Sequence, residues 1–173
     1  SIGVQSLEPS ILKFLTRIHN VKQVYDTFDH AREIGYSNIN CDLIYSIPGQ
    51  SWDVWVRDLK TIIKLNPEHI SAYTLTSERG TELFKLIKKR EIIMPKDEKT
   101  ADWFLKTHKI LKTNNYNAYE ISNFSKKHFE CKHNLHYWKI NPFIGYGPSA
   151  HSFDGHNRWS NIKSLDSYLK KVK

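Results

Sequence analysis

The chain has 173 residues, 39% of them hydrophobic and 13% aromatic, enough for a packed core and too apolar for a disordered chain. Two cysteines, Cys41 and Cys131, exclude a disulfide framework and suit a reducing compartment; no apolar run reaches the roughly 18 residues of a spanning helix. The net charge is +8, and all of the basic excess lies in the second half: residues 1–50 carry −1, residues 51–80 carry 0 and residues 81–173 carry +9. A basic chain invites a nucleic-acid reading, and a charge step of this kind marks two functional regions, divided here at 80/81.

Residues 1–5, Ser-Ile-Gly-Val-Gln, read as a buried strand that starts in mid-element. A short helix is expected over 9–17. A second is expected over 21–34, where Val21, Val24, Tyr25, Phe28 and Ala31 recur at helical spacing and Gly35 stands at the C′ position. Residues 38–45 read as a strand. After the break at Pro48-Gly49, Ser51 caps a helix with Trp52, Trp55, Val56, Leu59, Ile62 and Ile63 on its apolar face. Asn66-Pro67 ends that helix, and 69–76 is a third strand.

The order strand–helix–strand–helix–strand, with crossovers long enough for parallel pairing, predicts an α/β fold with parallel strands. Ligands of such folds bind at the C-terminal strand ends, here residues 5–6, 42–46 and 73–76, with Arg17 just beyond the first.

From residue 81 the character changes. A basic helix is expected over 81–91, a longer one over 95–114, a short strand over 119–124 and a helix over 164–173. Residues 128–161, rich in His, aromatics, Gly and Asn, read as short strands or loops. The chain opens on Ser1 without a methionine, shows no basic-then-apolar leader, and stops inside a helical pattern. It is therefore expected to be an internal segment of a longer protein.

Three constellations could carry chemistry. Gln5 and Asp42 lie at strand ends facing one cleft: a carboxylate accepts two hydrogen bonds from a ribose diol, an amide both donates and accepts, and Arg17 can pair with a ligand carboxylate. The same residues could equally cap local backbone. The second is Cys131-Lys132-His133-Asn134-Leu135-His136-Tyr137-Trp138, within a stretch that also holds His128, His151 and His156. Imidazole is a ligand for haem iron and zinc, but a structural zinc site uses paired clusters and only Cys131, His133 and His136 are local. These side chains could also fill a small core. The third, Gly145-Tyr146-Gly147, lacks the strand-to-helix context of a dinucleotide fingerprint and reads as a tight turn. The basics at 85–90 do not alternate with aromatics as a nucleic-acid stacking platform does.

Several segments resemble the radical S-adenosylmethionine (radical SAM) family of oxygen-independent coproporphyrinogen III oxidases. They are Ser1-Ile2-Gly3-Val4-Gln5-Ser6, Arg17-Ile18-His19, the run from Asn38-Ile39-Asn40-Cys41-Asp42 through Pro48-Gly49-Gln50, and Asn66-Pro67-Glu68-His69. Tyr119-Glu120-Ile121-Ser122-Asn123-Phe124 and the HN-x-x-YW motif of His133, Asn134, Tyr137 and Trp138 are similar to the haem-chaperone branch of that family, as is Gly145-x-Gly147-x-x-Ala150-His151.

The resemblance implies a fragment of a partial (β/α)6 barrel over 1–80, followed by an incomplete α+β C-terminal domain over 81–173. It implies that Gln5, Arg17 and Asp42 contact SAM, that Ile44 flanks the adenine, and that haem binds near His133, His136 and Tyr137. The implied cofactors are SAM, a [4Fe–4S] cluster and haem; the implied partners are haem or porphyrin and haem-acceptor proteins, in the cytoplasm or an organellar matrix. The family's C-x3-C-x2-C cluster motif is absent, so the cluster ligands are expected outside this segment, which should be inactive alone. Ser46 stands where the family commonly has glycine. The alternatives are a coproporphyrinogen III oxidase of porphyrin biosynthesis and, from a different class, a basic RNA-binding module.

Overall fold

Strand β2 (Asn40–Tyr45) alternates strictly: Cys41, Leu43 and Tyr45 are buried, while Asn40, Asp42 and Ile44 are half-buried on the opposite face. Period-2 alternation of this kind commits one sheet face to a core and leaves the other open. In the computed structural model, which describes residues 1–172, that strand is the second of a five-stranded sheet ordered β1-β2-β3-β5-β4. β1 (Ile2–Gln5), β2 and β3 (His69–Thr74) run parallel; β5 (Asn123–Ser125) is antiparallel to both β3 and β4 (Asn117–Ala118). The sheet does not close, and the architecture is that of a barrel fragment.

The crossovers are helical for local reasons. α1 (Pro9–Phe14) starts with proline at its first position. α2 (Val21–Glu33) opens on a capping box: the Asn20 side chain accepts from Gln23 N at 3.0 Å, and Gln23 Oε1 accepts from Asn20 N at 2.8 Å. Ser51 caps α3 (Trp52–Leu65) by accepting from Val54 N at 3.2 Å; Asn66 closes it in the left-handed conformation before Pro67. Val24 and Phe28 of α2, Trp55, Leu59 and Ile62 of α3, and Trp103 and Leu111 of α5 (Asp97–Thr113) pack with Cys41, Leu43, Ile70 and Phe124 on the covered face. The indole N–H of Trp55 donates to Thr107 Oγ1 at 2.8 Å, so a polar atom brought into this core finds a partner. Cutting Leu59 or Ile62 to alanine would cost about 2–5 kcal/mol.

The chain forms two compact units, Ser1–Glu130 and Cys131–Lys173. The charge step at 80/81 is therefore not a packing boundary. α5 lends Trp103 and Leu111 to the first core, and β5 completes its sheet, so folding joins what charge separates. α4 (Glu82–Lys88), shorter than the 81–91 expected, buries none of its residues. Of the strand expected at 119–124, only Asn123 and Phe124 are extended, in β5; residues 119–122 form the turn from β4 and bond to β3 through Ala72 N and Ser122 O at 2.8 Å.

The second unit contains a helix where only strands or loops were expected: α6 (Lys132–Trp138). Its signals are weak. Cys131 makes no side-chain cap, the helix is rich in His, Asn and aromatics, and its C′ residue is Ile140 at φ 54 where glycine is usual. The bonds Ile140 N to Tyr137 O and Asn141 N to His136 O nevertheless form a Schellman closure. A hairpin, β6 (His151–Phe153) with β7 (Arg158–Ser160), follows, then α7 (Leu165–Lys171) capped by Ser164. Lys173, the last residue of that expected helix, lies outside the described residues. The Gly145–Gly147 segment leads into the expected turn, which spans Gly147–Ala150 and closes with Ala150 N donating to Gly147 O at 3.3 Å. Gly147 has φ 101, and a Cβ on Gly145 would come within 2.1 Å of the His151 carbonyl oxygen.

Candidate functional site

The open sheet face begins with a strained strand end. Gln5 closes β1 at φ 64, in a three-residue turn where Ser6 N donates to Val4 O at 2.8 Å. Such a conformation costs on the order of 1–3 kcal/mol for a non-glycine residue and persists only where its surroundings hold it. Asp58 of α3, fully buried, supplies that hold: its Oδ2 accepts from both Ser6 Oγ and Leu7 N. The His19 ring adds a third anchor, Nε2 to Val4 O at 3.2 Å.

The Gln5 side chain then lies across Gly3, where a Cβ would meet its Nε2 at 3.0 Å. α1 stops early, at Phe14 rather than residue 17, in a second Schellman closure with Thr16 at φ 55. Arg17 completes that closure, its N–H donating to Leu12 O at 2.9 Å, and its Nη2 donates to Gln5 Oε1 at 3.1 Å. Beside it Leu12, Lys13, Thr16, His19, Asn20 and Lys22 line an open groove of about 640 Å³. The Gln5 amide NH2 and the rest of the Arg17 fork remain available to an anion.

Asp42 and Ile44 share the open face of β2, two residues apart. The Asp42 carboxylate accepts from Ser1 Oγ at 2.6 Å and from Asn40 Nδ2 at 2.8 Å. Asn40 Oδ1 in turn accepts from Ser71 Oγ at 3.2 Å and contacts His69 Nδ1 at 2.7 Å, and His69 Nε2 meets Tyr119 OH at 2.7 Å. Burial holds the His69 imidazole below its usual range, against the opposing pull of Asp42 and Glu120. Sequence reading missed Asn40, His69, Ser71 and Tyr119. The one available signal was register: Asn40 faces His69 and Asp42 faces Ser71 across the β2–β3 pair.

In the second unit, His133 and Tyr137 stand one turn apart on α6 with ring centroids 4.9 Å apart, edge to face. His136 is occupied internally: Nε2 reaches Pro142 O at 2.9 Å and Nδ1 lies 3.3 Å from Asn141 Nδ2. A carbonyl only accepts, so Nε2 carries the proton and Nδ1 spends its lone pair on the amide. Tyr137, Ile140, Asn141, Phe143, Phe153 and Arg158 line a recess of about 260 Å³.

The thiols do not suit an iron–sulfur cluster. Cys41 is fully buried in the first unit, and burial pushes its thiol up to about 12; Cys131 is in the second unit. The expected [4Fe–4S] cluster needs at least three thiolates, so the two cysteines present cannot hold it. Among the described residues no three His, Cys, Asp or Glu side chains converge as a metal site, and no helix is long and apolar enough to cross a membrane.

No family model matches the chain. It is 35% identical over 169 residues to the haem chaperone HemW of Bacillus subtilis, covering 98% of this chain and 45% of that protein. It is 37% identical over 151 residues to the mitochondrial radical S-adenosyl methionine domain-containing protein 1 of Danio rerio, covering 87% of this chain and 34% of that one. The chain thus spans less than half the length of these relatives. In fold it is similar to the coproporphyrinogen III oxidase (HemN) of Escherichia coli, a radical SAM enzyme: TM-score 0.75, 22% identity, covering 98% of this chain and 42% of that one.

Proposed function

We propose that this chain, which belongs to the haem-chaperone (HemW-like) branch of the radical SAM coproporphyrinogen III oxidase family, binds SAM on the open face of its sheet and haem on its second unit. The observation that carries the first half is the donor set on the open face. The Gln5–Arg17 pair offers an amide and a guanidinium to the amino-acid end of SAM, and Asp42 offers a carboxylate to the ribose hydroxyls. Ile44 supplies apolar contact for the adenine on the same strand. With no thiolate set for a cluster, the chemistry derived for these residues is binding and orientation.

For haem, His133 would be the better iron ligand, because both ring nitrogens of His136 are already engaged by Pro142 O and the Asn141 amide. Tyr137 would stack on the macrocycle and Arg158 would pair with a propionate. Delivery of haem to acceptor proteins is the activity this reading assigns to the whole protein.

Two titrations test it. Calorimetry with SAM should show saturable binding that is lost in Asp42→Ala. Haem titration should give a Soret band that shifts in His133→Ala and less so in His136→Ala. An unchanged spectrum in His133→Ala would remove that residue from the haem site.

A further inference from the structure

The polar chain behind Asp42 has a determined proton order. A carboxylate accepts, so the side of Asn40 that faces Asp42 is the NH2, which also donates to Ser1 Oγ at 2.7 Å. The Asn40 carbonyl oxygen therefore points the other way, toward Ser71 Oγ and His69 Nδ1. A carbonyl cannot donate, so His69 carries its proton on Nδ1. Its Nε2 lone pair is then filled by the Tyr119 hydroxyl. Reversing the amide would set its oxygen against the Asp42 carboxylate, so the carboxylate fixes the amide, and the amide in turn fixes the His69 tautomer.

We propose that Asn40 is a positioning residue for the Asp42 carboxylate, and that His69, as the Nδ1–H tautomer backed by Tyr119, holds the Asn40 amide in place. This rests on the reading of Asp42 as a ribose contact. Asn40 spans the interval between the strands: it hangs from β2, yet its carbonyl is gripped by two side chains of β3. One carboxylate oxygen is thereby tied to a fixed donor, and rotation about the Asp42 side chain is limited before any ligand arrives. Pre-set geometry of this kind raises affinity by removing an ordering cost from binding.

The test uses the intact chain and two readouts. Nitrogen-15 NMR of the imidazoles should show His69 protonated on Nδ1 in the parent and in Tyr119→Phe, and released from that tautomer in Asn40→Ala. A parent His69 protonated on Nε2 would overturn the proposal, with or without ligand. Calorimetry with SAM, run well below the melting temperature, should show about tenfold weaker binding in Asn40→Ala; the melting temperature itself should fall, because buried His69 and Ser71 lose their acceptor. Unaltered affinity would overturn the positioning role while leaving the SAM site standing. Absence of SAM binding by the parent would instead end the ribose reading, and the tautomer would alone decide whether the amide is held as described.

Discussion

Arg17 Nη2 donates to Gln5 Oε1 at 3.1 Å, although Gln5 closes a strand and Arg17 follows a helix. Two left-handed residues make the contact possible: Gln5 itself at φ 64 and Thr16 at φ 55. The pair works as one unit. Arg17→Ala and Gln5→Ala are each expected to weaken SAM binding about tenfold, in line with the loss of a charge-assisted hydrogen bond. The double variant should cost clearly less than the sum. Calorimetry of the three variants checks this, and strict additivity would refute the coupling.

Gly3 is expected to matter for reach rather than stability. Its added Cβ would press on Gln5 Nε2 at 3.0 Å, and the residue is otherwise exposed. Gly3→Ala should leave the melting temperature nearly unchanged and turn the Gln5 amide away, weakening SAM binding by about 1 kcal/mol. Parallel melting and binding curves separate the two effects.

Asp58 is the stability counterpart. Removing its carboxylate leaves Ser6 Oγ and Leu7 N without their acceptor in a buried site. Asp58→Ala should cost about 3 kcal/mol in urea unfolding. Because the turn at Gln5 loses its hold, SAM affinity should fall as well. A destabilised variant with full affinity would show that the turn holds itself.

Stability should rise with pH in two steps. The unfolded chain protonates His69 near pH 6.5, whereas the folded chain resists because burial lowers the imidazole. Stability therefore declines as pH drops below about 6.5. Burial raises the Glu68 carboxyl, but the Ile39 N–H, Arg32 and Lys126 outweigh it and hold the group below 4.5. Its contribution is full above about pH 4.5 and is lost as pH falls through the lowered value. Urea midpoints across this range should lose the upper step in His69→Gln and the lower step in Glu68→Gln.

Much of the first unit was legible beforehand. The helical spacing of Val21 to Ala31, the cap at Ser51, the break at Asn66-Pro67 and the apolar residues within 38–45 are local signals, and each matched an element or its end. The same chemistry marked Gln5 and Asp42 as strand-end residues with Arg17 just beyond the first; the structure joins Gln5 to Arg17, but Asp42 stands inside β2 rather than at its end and bonds to Ser1 and Asn40. Legibility stopped where partners lie far apart in sequence. His69 meets Tyr119 across 50 residues and Ser46 meets Thr100 across 54, and neither pairing leaves a periodic trace. Ser46 at φ 58 also explains why glycine suits that position.

The sequence by itself determined the elements of residues 1–76 and the kinship carried by its motifs. These follow from short-range sterics, capping and hydrophobic period, all readable along the chain. Only the tertiary structure decided that residues 97–125 fold with the first unit, that Asp58 braces the turn at Gln5, and that Asn40 stands between Asp42 and His69. The reason is burial: a polar atom taken out of water must find a partner, and which partner it finds is settled by packing rather than by its neighbours in sequence.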